Sequence, residues 1–216
     1  MNIIEELDRS EALLWTILAQ FEILAAEQYA RSAPELLTPE KQRLVTLLRT
    51  RVQGPPELAG TPLEVPVAAL MHSVRSSSEA HVLIAQGLFL ELIGEAIYRT
   101  FGANAATSQP TRALCEAGTA ASGRAHAIVP GLLRSRLGTG DILLRAIVNE
   151  STPLLSSLDD VGEAIDATYL DRFGVSFADL MGDVAAELIA LCLELDVDRR
   201  KLVAFLTSAL MGDSRR

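Results

Sequence analysis

Two stretches of this chain place a glutamate and a tyrosine seven residues apart. "EILAAEQY" runs from Glu22 to Tyr29, and "ELIGEAIY" runs from Glu91 to Tyr98. Seven residues are close to two helical turns, so each pair shares one helix face. Both glutamates stand in apolar runs, and two carboxylates held close in an apolar interior cannot both ionise cheaply without a cation. At least one is expected to have a raised pKa, which suits acid/base chemistry.

The composition indicates which elements hold these residues. Hydrophobic residues make up 49% of the 216-residue chain and aromatic residues only 5%, with Ala and Leu dominant. This composition forms helices more readily than strands. The length is typical of one large domain with a full core. We therefore expect a single all-α domain over residues 1–216.

Charge and hydropathy exclude several kinds of partner. The net charge of -9 argues against a nucleic-acid partner, because phosphate binding needs clustered Lys and Arg. The opening "MNIIEELDRSE" is too charged for a signal peptide, and no apolar run has the roughly 18 residues of a membrane span. We expect a cytoplasmic protein without a membrane span, either a monomer or a homodimer.

Apolar periodicity and turn residues predict the order of the helices. A first helix is followed by a short second one, with Thr38 as its N-cap and Pro39 at its first position. The Pro-rich stretch 53–66 is a long crossover. Two helices, a crossover, two more helices and a helical C-terminal addition are typical of a ferritin-like four-helix bundle. The predicted helices cover about 2–31, a short segment from Pro39, 67–103, 110–137, 140–173 and 177–211.

The chain resembles the ferritin-like aldehyde-deformylating oxygenases, which convert fatty aldehydes into alkanes and formate. That family carries Glu-x6-Tyr on two helices, as Glu22/Tyr29 and Glu91/Tyr98 do here, and "PTRALCEAGTAASGRAH" matches its Pro-to-His spacing on the fourth helix. "LLRAIVNESTPLLSSLDDV" and "FADLMGDVAAELI" continue the similarity. The resemblance implies that His126 is a metal-ligand position converging with the two glutamates.

The chain departs from the family at other metal ligands. Where the family has Glu-x-x-His on its second helix, "LLRTRVQG" places Thr50 or Arg51 at the carboxylate and Gln53 or Gly54 at the histidine. On the fourth helix, Gly123 replaces the glutamate three residues before the histidine. Two divalent ions need several anionic oxygen ligands, so an ordinary di-iron centre is not expected.

We expect no cofactor, and a hydrophobic small molecule as the substrate. Glu22, Glu91 and His126 are the predicted catalytic residues of a metal-independent cyclisation, isomerisation or elimination that proceeds by proton transfer. One alternative is an iron-dependent oxygenase or deformylase of a lipophilic aldehyde, with Glu22, Glu91, His126 and Glu95 as metal ligands. Another is a non-catalytic bundle that binds a lipophilic ligand or a partner protein.

Five further residues are expected to line the substrate site. Loss of a side chain at Gly123 is expected to leave a gap at the bundle centre that a ligand could fill, and an inward-pointing Arg51 could neutralise Glu22. Each has a plain structural alternative, such as core packing for the tyrosines and close helix packing for the small residues 117–123. The predicted substrate-binding residues are Tyr29, Tyr98, Arg51, Gly118 and Gly123.

Overall fold

All regular secondary structure in the described part of the chain is helical. A computed structural model describes residues 9–51, 60–76, 80–165, 170 and 173–210, and no strand occurs within them. The all-α prediction is confirmed for these residues. Besides a 3-10 turn at Pro34–Leu36, the α-helices are α1 (Arg9–Ser32), α2 (Pro39–Arg51), α3 (Glu64–Ser76), α4 (Ala80–Ala103), α5 (Gln109–Arg136), α6 (Gly140–Ile165), α7 (Phe177–Glu194) and α8 (Arg199–Leu210).

Four of the helices pack in a closed ring. Helix α1 contacts α2, α2 contacts α5, α5 contacts α4, and α4 returns to α1. Helix α4 also packs against α6 and α7, and its mainly apolar sequence suits this central position. Within the described ranges, none of the helices is both long and apolar enough to cross a bilayer.

The start of α2 follows the sequence prediction. Helix α2 begins at Pro39, and the Lys41 backbone N–H donates to Thr38 Oγ1 at 3.2 Å. The threonine thus satisfies one of the amide groups that lack a partner at a helix start. This cap fixes the register of α2 and places Lys41 in its first turn.

Where the sequence predicts one long helix over 67–103, the structure describes two helical segments. Helix α3 begins at Glu64 and packs against α6, whereas α4 begins at Ala80 and packs at the centre. Residues 77–79 lie outside the described ranges. The helical continuity predicted across 77–79 therefore lies outside the described residues.

The single helix predicted over 177–211 is also two helices, α7 and α8. Asp196 between them has a φ of +61°, in the left-handed region. The Val197 N–H donates to the Cys192 carbonyl at 3.0 Å, and the Asp196 N–H donates to the Leu193 carbonyl at 3.3 Å. This pair of bonds is a Schellman motif, which ends a helix. Aspartate here takes the place usually held by glycine, so no glycine marks the helix end in the sequence.

Candidate active site

A buried lysine joins the two glutamates that the sequence singled out. Lys41 Nζ lies 2.5 Å from Glu22 Oε2 and 2.5 Å from Glu91 Oε1. The three residues are 1%, 7% and 5% exposed, respectively. The two carboxylate oxygens are therefore separated by no more than twice the lysine contact distance. We call Glu22, Lys41 and Glu91 the lysine–glutamate cluster.

Each member of the cluster comes from a different helix of the ring. Glu22 lies on α1, Lys41 on α2 and Glu91 on α4. A lysine in the first turn of a helix is opposed by the positive end of the helix dipole. The two carboxylates offset that cost, and they also offset much of the cost of removing the ammonium from water. The cap at Thr38 therefore determines which side chain reaches the carboxylates.

Each of the two tyrosines lies beside a different glutamate of the cluster, and Tyr98 contacts Glu22. The Tyr98 hydroxyl donates to Glu22 Oε1 at 2.5 Å, and its ring stacks on Trp15 with centroids 6.3 Å apart. A Cβ at Gly118 would come within 2.5 Å of the Tyr98 ring, so Gly118 makes room for this tyrosine. Gly118 thus has a packing role beside Tyr98, as the structural alternative anticipated.

Tyr29 lies buried near Glu91. A Cβ at Gly87 would come 2.6 Å from the Tyr29 hydroxyl, so the absence of a side chain at Gly87 admits the phenol. The side chains of Tyr29 and Glu91 interact, and this interaction lowers the pKa of Glu91, although neither this hydroxyl nor Glu91 Oε2 has a hydrogen bond of regular geometry among the described residues. Buried polar atoms usually have a partner. The Tyr29 phenol and the Glu91 carboxylate therefore offset part of the cost of each other's burial.

An apolar pocket opens onto the lysine–glutamate cluster. The cluster forms its polar end, and apart from Gly94 the remaining lining residues are aliphatic or aromatic. They come from five helices and include Phe21, Leu70, Val161 and Phe177. The cavity volume is about 70 Å³, so a ligand of more than a few atoms would extend to the pocket mouth or displace lining side chains. An apolar wall with a few convergent polar groups is the usual construction of a small-molecule site.

Electrostatics give the cluster members different protonation behaviour. Burial raises the pKa of Glu91, and the Glu22 charge raises it further, against the lowering effect of Lys41. For Lys41, burial lowers the pKa, but attraction to Glu22 and Glu91 outweighs this effect and raises it overall. Lys41 is thus a persistent cation, and Glu91 holds its proton to a higher pH than an exposed glutamate.

Both tyrosines remain neutral phenols in this environment. Burial, together with the neighbouring carboxylates, raises the pKa of Tyr29 and of Tyr98 well above 10.0. They serve as hydrogen-bond donors and not as bases. The direction of the Glu91 pKa shift is the one expected from the sequence, although the cluster also contains a cation that the sequence analysis did not anticipate.

His126 pairs with Glu95 and not with the lysine–glutamate cluster. Its Nδ1 lies 2.8 Å from Glu95 Oε2, with the two side chains 29% and 20% exposed. His126 does not line the pocket that contains Glu22 and Glu91. Of the three residues expected to converge, the structure therefore brings the two glutamates together around Lys41 and places the histidine in a separate pair between α4 and α5.

The possible metal ligands Glu22, Glu91, His126 and Glu95 consequently form two pairs. Within the described ranges, no group of three or more His, Cys, Asp or Glu side chains could hold a metal ion. In the first pair, the position between the carboxylates belongs to the Lys41 ammonium. This donor set does not fit a di-iron centre.

The remaining predicted residues lie outside the cluster. Gly123 is exposed, and a Cβ there would meet no atom within 4 Å, so it borders open space and leaves no gap at the bundle centre. Arg51 ends α2, and its side chain is not among those described. Thr50 is exposed and hydrogen-bonded to its own helix. Lys41, ten residues before Arg51, supplies the positive charge next to Glu22.

Comparison with known proteins found no match. The chain matches no protein-family model, no curated protein and no solved structure.

Proposed function

We propose that this chain is a ferritin-like enzyme that moves a proton on a largely apolar substrate without a metal ion. The closed ring of α1, α2, α5 and α4 supports the ferritin-like part of the proposal. The observation that carries the function is the lysine–glutamate cluster at the polar end of an apolar pocket. Proton transfer is the chemistry that a carboxylate of raised pKa and a fixed cation can perform together.

The cluster assigns a separate task to each group. An ammonium has three N–H groups, and two of those of Lys41 serve the carboxylates. The third can donate to a substrate carbonyl oxygen. Glu91 Oε2, which has no regular partner among the described residues, can take a proton from the adjacent carbon. The C–H electrons form the C=C bond of an enolate while the carbonyl π electrons move to the oxygen held by Lys41. Return of a proton to the same carbon gives exchange, and where the substrate has a C=C bond next to that carbon, return at the far end of the bond gives isomerisation.

The charges of the cluster restrict the substrate class. With Glu22 and Glu91 ionised, two negative charges face one ammonium, so a third carboxylate would bind against net repulsion. A neutral carbonyl group avoids this repulsion and accepts the remaining lysine N–H. The apolar lining accommodates a hydrocarbon chain. We therefore propose a ketone or aldehyde with an apolar tail as the substrate class.

Hydrogen exchange on a simple probe tests the proposal. Methyl hexyl ketone is incubated with the protein in heavy water, with a chelator and under nitrogen, and deuterium uptake is followed by mass spectrometry. The native chain should raise the uptake rate beside the carbonyl, because one positioned acid or base contributes roughly 10²- to 10⁴-fold. Glu91→Gln should return the rate to that of the protein-free solution, since the amide keeps the shape but cannot accept the proton.

A surface glutamate supplies the matched control. Glu27 lies exposed on α1 and pairs with Arg49 at 3.3 Å, so Glu27→Gln should keep the native exchange rate. An exchange rate that Glu91→Gln leaves unchanged, or native protein no faster than solution across methyl ketones and aldehydes of different length, would show that the acid/base proposal is wrong.

A non-catalytic ligand-binding bundle is the second candidate, and the lysine favours it. Lys41 neutralises much of the carboxylate charge, which would also stabilise a pocket that only binds. Ketone binding measured by calorimetry, without any acceleration of deuterium uptake, would support this candidate over the enzyme.

A further inference from the structure

We propose that the Lys41 ammonium acts as a built-in cation that takes the place of a metal ion between Glu22 and Glu91. In this arrangement the carboxylate pair is closed to divalent cations in the native chain. It becomes a divalent-cation site only when the lysine charge is removed. This proposal concerns the resting cluster and is independent of the proposed proton-transfer activity.

The position of the ammonium supports this assignment. Its nitrogen lies 2.5 Å from one oxygen of each carboxylate, within the range of oxygen–calcium distances in proteins, about 2.3–2.6 Å. The Lys41 side chain is only 1% exposed, so the ammonium is fixed inside the bundle and does not exchange with solvent cations. A metal ion held by both glutamates would need the same space.

Charge balance gives the second argument. Two carboxylates in an apolar interior need positive charge to remain ionised together. A divalent ion added beside Lys41 would place three positive charges against two negative ones in a low-dielectric site. The ammonium would have to leave first, and its first-turn position on α2, fixed by the Thr38 cap, holds it in place.

The lysine can be replaced without adding a new ligand. Lys41→Met keeps a long unbranched side chain and removes the charge, leaving two ionisable carboxylates next to a pocket. Hard cations are bound by carboxylates and water, and Mn²⁺ belongs to this class. Lys41→Met should therefore bind Mn²⁺ through Glu22 and Glu91, with water completing the coordination shell.

Manganese titration followed by electron paramagnetic resonance tests the proposal, because free and bound Mn²⁺ are distinguished. Lys41→Met should bind one more Mn²⁺ ion per chain than the triple variant Lys41→Met/Glu22→Gln/Glu91→Gln. The two proteins share the same acidic surface, so surface binding cancels. The native chain and Lys41→Arg, which keeps the positive charge, should match the triple variant.

Two results would overturn the proposal. One is a native chain that binds Mn²⁺ as Lys41→Met does, with the binding lost in Glu22→Gln/Glu91→Gln. The other is Lys41→Met that binds no more Mn²⁺ than the triple variant. If Lys41→Met does not fold alone, it is refolded with and without Mn²⁺ and followed by circular dichroism. Recovery of helix with Mn²⁺ supports the proposal, and failure to recover with Mn²⁺ overturns it.

Discussion

Two buried carboxylate sites in this protein solve the same physical problem in different ways. Glu11 on α1 is 1% exposed and accepts hydrogen bonds from the Ser108 N–H at 2.9 Å, the Ser108 hydroxyl at 2.5 Å and the Thr111 hydroxyl at 2.9 Å. Ser108 is the N-cap of α5, where the helix dipole also favours a negative charge. The hydrogen bonds described for Glu11 thus come from neutral donors at a helix start.

The lysine–glutamate cluster relies on a buried cation instead, and it borders a pocket. Glu91 Oε2 keeps no regular partner among the described residues, whereas both Glu11 oxygens accept hydrogen bonds. Burial of a carboxylate alone therefore does not identify a functional site in this fold. The combination of burial, an incompletely satisfied oxygen and an adjoining pocket distinguishes the cluster from the site around Glu11.

The largest effect is expected from Lys41→Met measured as stability. Removing one partner of a buried ionic group leaves uncompensated charge and costs about 3–5 kcal/mol. Urea unfolding in chelator should show this loss, and Lys41→Met/Glu22→Gln/Glu91→Gln should recover much of it. A loss under about 1 kcal/mol, typical of an exposed ion pair, would contradict the buried cluster.

Glu11→Ala should cost less, because the described hydrogen bonds that it removes come from neutral donors. We expect a loss of about 1.5–3 kcal/mol in the free energy of unfolding, the usual range for a hydrogen bond to a charged group. Ketone binding in the pocket, measured by calorimetry, should be unchanged. A loss of ketone binding in a folded Glu11→Ala protein would remove the distinction between the two sites.

Removing the hydroxyl of each tyrosine in turn should have a smaller effect on the free energy of unfolding. Tyr98→Phe removes a donor to Glu22 and should destabilise the fold by about 1.5 kcal/mol. Tyr29→Phe removes a hydroxyl whose interaction with Glu91 lacks regular hydrogen-bond geometry, so it should cost less, about 0.5 kcal/mol. Thermal unfolding of the two variants side by side provides the measurement. Equal losses would indicate that Tyr29 is bonded as firmly as Tyr98.

The pH dependence of stability should carry the smallest effect. The pKa of Glu91 is raised above its ordinary value of 4.5, so the folded state binds more protons than the unfolded state between the two values. The Glu91 contribution to stability is fully present below pH 4.5 and is lost as pH rises through the folded pKa. Urea unfolding across this range should show the decline in the native chain and its absence in Glu91→Gln. A contribution that rises with pH would contradict the assigned shift.

The sequence analysis predicted that Glu22 and Glu91 meet, but it did not predict that Lys41 joins them. Glu-x6-Tyr spacing singled out Glu22 and Glu91, and the resemblance to the ferritin-like family predicted that they meet. Lys41 was missed because α2 is a polar helix, on which a lysine normally faces water. The available signal was its first-turn position directly after the Thr38–Pro39 start, where the helix dipole disfavours a cation.

Other differences between the sequence predictions and the structure arise from tertiary packing, which local sequence patterns do not encode. Periodicity continued across the boundary between α7 and α8, because a turn centred on Asp196 adopts left-handed geometry without a glycine. The glycine at 123 suggested an internal gap, but its helix face is exposed. Gly87 and Gly118 are the glycines that accommodate the tyrosines, and only the packing of α4 against its neighbours shows this.

Carbon-13 NMR of glutamate side chains tests the central claim most directly, because it observes both carboxylate sites in one sample. The Glu91 carboxyl, assigned with Glu91→Gln, should titrate above its ordinary value of 4.5. Its signal should move when methyl hexyl ketone is added, while the Glu11 signal stays in place. A Glu91 carboxyl that titrates at or below 4.5, and does not respond to the ketone, would contradict a ligand site built on the lysine–glutamate cluster.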